Sequence, residues 1–68
     1  MAFDIDNVFT YHAPKDTQPK RYEEIRAFAR NLAVTIEQCC PESREKSLAM
    51  TNVQQAVMWA NASIAINE

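Results

Sequence analysis

The chain reads as all-α: an N-terminal arm or short helix, then two long antiparallel helices, assembled into a helical homo-oligomer. Three observations predict this. Apolar residues recur at three- and four-residue steps over two long stretches, the mark of amphipathic helices. Prolines stand at positions 14, 19 and 41, where they punctuate those stretches, and glycine is absent from all 68 residues, which removes the usual hairpin turns. Chains this short rarely stabilise a private core without disulfides, a metal or partner subunits. One domain, residues 1–68, is the most that the length allows.

Residues 1–16 form the arm. Asn7-Val8-Phe9-Thr10-Tyr11-His12 is rich in aromatic and β-branched types and has no strand partner, so a short helical turn or loop fits better than a sheet. The first long helix is expected over residues 19–40. Pro19 suits a first turn, Thr17 or Gln18 can cap, and Glu23 and Glu24 follow near the positive end of the dipole. Its apolar positions are Tyr22, Ile25, Phe28, Ala29, Leu32, Ala33, Ile36, Cys39 and Cys40, one buried stripe. Pro41 breaks this helix and starts the next, expected over residues 42–66, and so short a link enforces antiparallel neighbours.

The second helix carries two stripes. Ala49, Val53, Ala56, Val57, Ala60 and Ile64 make one; Leu48, Gln55, Trp59, Ala62 and Ile66 make the other, rotated around the axis. A hairpin partner covers only one of them, so the second stripe predicts another subunit, with Trp59 at a core or interface. No charge occurs over the 21 residues from Ser47 to Asn67, yet the amides and hydroxyls inside that stretch are costly in lipid, so no membrane span is expected.

Composition excludes several functions. A net charge of −2 argues against a coat for DNA or RNA polymers, which needs a basic excess. The absent glycines rule out Gly-rich phosphate cradles. One histidine and two adjacent cysteines make neither a zinc set nor a base–nucleophile pair, so no cofactor, no metal and no enzymatic activity are expected. A vicinal disulfide demands a strained peptide; Cys39 and Cys40 read as free thiols and small core residues in a reducing cytoplasm. The N-terminus has no basic or apolar signal region.

Charge is uneven: Lys15, Lys20, Arg21, Arg26 and Arg30 supply five of the seven basic residues. Tyr22, Arg26 and Arg30 lie four apart and share a helix face. Guanidinium groups there would offer planar donors to phosphate, although solvated surface arginines are the commoner arrangement. Phe9, Tyr11 and His12 cluster on the arm, where aromatic faces stack on nucleobases or pin the arm to an apolar groove. His12 alone, without a matched carboxylate, suits polar contact rather than acid–base work. Arg44-Glu45-Lys46 reads as a solvated helix start.

Read together, Asn7-Val8-Phe9-Thr10-Tyr11-His12-Ala13-Pro14, Pro41-Glu42-Ser43-Arg44-Glu45-Lys46-Ser47-Leu48-Ala49 and Ala56-Val57-Met58-Trp59-Ala60-Asn61-Ala62 resemble a phage family, the small anti-CBASS proteins of the second type. These are sponges for the cyclic oligonucleotide messengers of bacterial anti-phage immunity, and the resemblance runs from Asn7 over nearly the whole chain. It implies compact hexamers that bind cyclic dinucleotides, such as cyclic GMP–AMP, in pockets shared between subunits and release them unaltered. It also implies a place of action in the host bacterial cytoplasm. Some members hold cyclic trinucleotides at separate sites.

By that resemblance Tyr11 stacks on a base and Arg26 contacts phosphate; the placement of the residues adds Phe9 and His12 over the bases and Lys20, Arg21 or Arg30 as help for Arg26 in neutralising the phosphodiesters. Two departures stand out. The family carries a lysine where Arg26 stands, and a basic residue near the end of the last helix, where Ala65-Ile66-Asn67 offers none. The second bears on the trinucleotide site; the dinucleotide residues lie in the arm and first helix. The other reading is a small helical interaction module that acts on a host protein and has no nucleotide ligand.

Overall fold

A computed structural model describes residues 4–68 and contains three helices: α1 (Ile5–Val8), α2 (Gln18–Cys39) and α3 (Arg44–Asn67). The first three residues of the expected arm lie outside the described residues. Among the described residues there is no strand.

The short helix in the arm owes its start to Asp4, whose carboxylate accepts from the Asn7 N–H at 3.1 Å and so satisfies one of the donors a helix start leaves free. After Val8 the chain turns at Phe9 and then runs without regular secondary structure from Tyr11 to Lys15, until a turn at Asp16, which has φ 43°. That left-handed value is tolerated by aspartate better than by most side chains. The turn closes twice: the Gln18 N–H donates to the Lys15 carbonyl at 2.8 Å, and the Lys15 N–H donates to Gln18 Oε1 at 3.0 Å.

α2 begins one residue before the expected position and ends one residue sooner. Thr17 takes the N-cap place, yet its side chain makes no capping bond. At the other end Cys40 is extended, with φ −112° and ψ 136°, as a residue preceding proline is obliged to be. α3 starts two residues later than expected. Pro41 belongs to the connection and not to the new helix, because Ser43 takes the cap: its Oγ accepts from the Lys46 N–H at 3.1 Å.

The two long helices form an antiparallel hairpin within an envelope of 43 × 26 × 17 Å. Ile25 near the start of α2 shares a groove with Ile64 near the end of α3, while Glu37 near the end of α2 meets Lys46 in the first turn of α3. Along the seam Tyr22, Ile25, Ala29, Ala33 and Ile36 face Ala49, Met50, Val53, Val57, Ala60 and Ile64, all half-buried. Among the described residues no apolar side chain is fully buried.

The expected single stripe on α2 therefore divides. Its seam half is covered, whereas Phe28 stays 68 % exposed and Leu32 is exposed too. Cys39 and Cys40 are free and exposed, not core residues, because the helix stops at Cys39 and neither thiol has a facing helix. On α3 the first stripe lies in the seam except for Ala56, which is exposed. The second stripe is open at Leu48 and at Trp59, which is 73 % exposed. Its far end, Ala62 and Ile66, is half-buried where the arm docks, with Asn7 Nδ2 donating to the Ile66 carbonyl at 2.9 Å. Among the described residues no helix is long and apolar enough to cross a membrane.

Candidate ligand-binding site

Arg26 and Arg30 stand one turn apart on the exposed side of α2, as their spacing predicts. They form one wall of an open groove of about 440 Å³. Ala29, Ala33, Val53 and Val57 make its floor, and Met50, Gln54 and Met58 of α3 complete it. The groove therefore combines two permanently charged forks with an apolar bed and one amide. Such a surface suits a ligand that is flat and apolar in one part and anionic in another.

The aromatic residues of the arm lie elsewhere on the chain. Tyr11 is 83 % exposed in the irregular segment after α1, and Phe9 is exposed at the end of α1. His12 is half-buried, with Nε2 2.6 Å from the Asn7 carbonyl oxygen. A carbonyl can only accept, so Nε2 carries the proton and the ring braces the arm. Neither Phe9, Tyr11 nor His12 lines the groove of Arg26 and Arg30. Lys20 is exposed on the first turn of α2.

Arg21 has a different occupation. Its two terminal nitrogens grip the Glu68 carboxylate as a fork, Nη1 to Oε2 at 2.9 Å and Nη2 to Oε1. Gln18, only 4 % exposed, adds Nε2 to Oε1 at 3.4 Å, and Lys15 Nζ reaches the Glu68 main-chain oxygen at 3.4 Å. The hydrogen bonds from Arg21 hold the Glu68 carboxyl below the usual carboxylate range, against the opposing effect of desolvation. The same bonds raise Arg21 above its already high value.

A second ion-pair cluster sits at the hairpin's other end. Lys46, read from the sequence as part of a solvated run, is 6 % exposed. Its ammonium donates to the Glu42 carboxylate at 2.7 Å and lies 3.3 Å from a Glu37 carboxylate oxygen. The Glu42 bond leads the causes that raise its pKa. Sequence reading gives Glu68 no role, Gln18 only that of a cap and Lys46 only that of a solvated helix start. Lys46 with Glu42 and Gln18 with the Lys15 N–H are local pairs, whereas the antiparallel register brings Glu68 to Gln18 and Arg21.

The family model for the Acb2/Tad1 hairpin domain matches residues 1–65. The chain belongs to the Acb2/Tad1 family. No curated protein and no solved structure matches it. Acb2/Tad1 is a phage anti-CBASS sponge family, in agreement with the resemblance carried by the arm and by the start and middle of α3. The match spans α1, the rest of the arm, all of α2 and nearly all of α3, so every residue assigned above to the arm and the groove falls within the Acb2/Tad1 domain.

Proposed function

We propose that this Acb2/Tad1 chain binds cyclic dinucleotides, cyclic GMP–AMP among them, and holds them intact in the host bacterial cytoplasm, so that host immune effectors receive no signal. The observation that carries the reading is the groove in which Arg26 and Arg30 stand over an apolar bed. Two guanidinium groups one turn apart suit the two phosphodiesters of a small ring. The apolar floor suits its bases.

In this reading Tyr11, with Phe9 and His12, closes over the bases from a neighbouring copy, and Lys20 adds positive charge to the rim. The exposure of Tyr11 supports a role for its ring outside its own chain. A homo-oligomer, a hexamer by family likeness, would cover Phe28, Leu32 and Trp59, which the single hairpin leaves open. A nanomolar dissociation constant corresponds to about −12 kcal/mol and would hold nearly all of a micromolar messenger when sites are in excess. A cyclic trinucleotide at a separate site would have to be held without a basic residue near the end of α3, where Ala65-Ile66-Asn67 offers none.

The deciding experiment mixes the protein with cyclic GMP–AMP, removes the unbound fraction, heat-denatures the complex and analyses what is released. Intact ring recovered in stoichiometric amount is the expected result. Linear products would make the protein an enzyme. No retention of any ring in a panel of cyclic di- and trinucleotides would favour the module that acts on a host protein through its open apolar face.

A further inference from the structure

We infer that Lys15, Gln18 and Arg21 form a binding site for a phosphate-type oxyanion, held shut in this conformation by the carboxylate of Glu68. The inference does not depend on the groove of Arg26 and Arg30, which lies further along α2.

Three donors of different chemistry converge on one residue. Arg21 supplies a fork, Gln18 an amide N–H, and Lys15 an ammonium, all within 3.4 Å of oxygens of Glu68. Gln18 is fixed in place before any anion arrives. It is 4 % exposed, and its Oε1 is tied to the Lys15 N–H at 3.0 Å, which leaves the Nε2 donor aimed at the carboxylate. Guanidinium forks match carboxylate and phosphate with the same planar geometry, so the side chain of Glu68 occupies the place a phosphoryl group would take.

The carboxylate also leaves the cluster incompletely used. Arg21 Nε is buried and has no partner, while Glu68 accepts from Nη1, Nη2 and Gln18. A buried donor without an acceptor is costly. A tetrahedral phosphate carries more oxygens than a carboxylate and can reach Nε as well as a terminal nitrogen. The ammonium of Lys15 reaches the main-chain oxygen of Glu68 at 3.4 Å, beyond the short range of a charge-assisted bond, and an anion seated closer would give it a stronger partner. Because it is tethered, Glu68 competes at an effective concentration on the order of millimolar. Free phosphate-type ligands therefore meet a partly closed site.

The test titrates inorganic pyrophosphate, and in a parallel arm cyclic GMP–AMP, into chains carrying Arg26→Gln and Arg30→Gln, so that only this cluster is read. Adding Glu68→Gln should tighten pyrophosphate at least about tenfold, and adding Arg21→Gln to that chain should abolish the gain. Tightening of pyrophosphate alone assigns the site to free or terminal phosphate; tightening of both ligands assigns it to phosphodiesters as well. No gain from Glu68→Gln, or a gain that survives loss of Arg21, overturns the inference. A second measurement needs no substitution: in the unaltered chain the Glu68 carboxyl carbon resonance should shift saturably as pyrophosphate is added, and a resonance that stays put at saturating pyrophosphate overturns the inference by itself.

Discussion

The ammonium of Lys46, in the first turn of α3, lies 3.3 Å from the main-chain oxygen of Glu37, in the last turn of α2. The last carbonyls of a helix have no partners within it, and a cation there also complements the helix dipole. One side chain thus caps α2, pairs with Glu37 and Glu42, and joins the two helices at the connection. Lys46→Met, which keeps the stem and removes the charge, should lower the thermal midpoint and speed amide exchange at Cys39 and Cys40. Arg44→Met, two residues earlier and exposed, is the control and should change neither.

Ser43 sets where α3 begins. Ser43→Ala removes the acceptor for the Lys46 N–H and should cost about 1 kcal/mol of stability. Ser43→Asp should restore it. Urea unfolding followed by circular dichroism reads both, and equal midpoints for the alanine and the serine chain would show that the cap does not matter.

The grip of Arg21 on Glu68 predicts an acid-sensitive fold at the arm's end. A carboxyl whose folded pKa is lowered contributes fully above its ordinary value, here 4.5, and loses that contribution as the pH falls through the lowered folded value. Thermal midpoints should therefore fall below about pH 4.5 in the unaltered chain. The difference from Glu68→Gln should shrink over the same interval. A constant difference down to pH 2 would contradict this assignment.

Tyr11→Ala should weaken cyclic dinucleotide binding by roughly 1–3 kcal/mol, the value of one lost stacking platform. Arg26→Lys, which keeps the charge but loses the fork, should weaken it less than Arg26→Gln. Calorimetric titration gives both comparisons. Unchanged affinity in Tyr11→Ala would place the bases away from the arm.

Trp59 is a test of assembly. Its exposure in the hairpin means that Trp59→Ala removes little from the single chain. Native mass spectrometry should show smaller assemblies for this variant, while far-ultraviolet circular dichroism keeps its helical signal. A loss of helix at unchanged mass would mean that the ring stabilises its own chain.

The helices were legible because their determinants are local. Pro19 placed the start of α2, and Pro41 forced Cys40 out of the helix, so its bounds moved by only one residue. The face shared by Arg26 and Arg30 followed from their spacing. Ser43 as cap was also within reach, since a serine three residues before an N–H is a local signal; a reading that gave Pro41 the first turn missed it. Lys46 and Glu68 were not legible. A lysine in a charged run looks solvated until the end of the preceding helix is laid beside it, and Arg21 with Glu68 is a pair 47 residues apart. The open thiols of Cys39 and Cys40 have the same origin: periodicity continues a stripe on paper past the point where the facing helix has ended.

Asp16 holds the torsion that aims the arm, and its φ of 43° is one that few side chains adopt without strain. The heading of Tyr11 relative to α2 is therefore written into a single backbone bond as much as into contacts. Asparagine should serve at this hinge, glycine should let the limb swing, and valine or isoleucine should redirect it. On the proposed sharing of Tyr11 between copies, position 16, with no ligand of its own, would govern how readily one molecule lends its aromatic ring to the next.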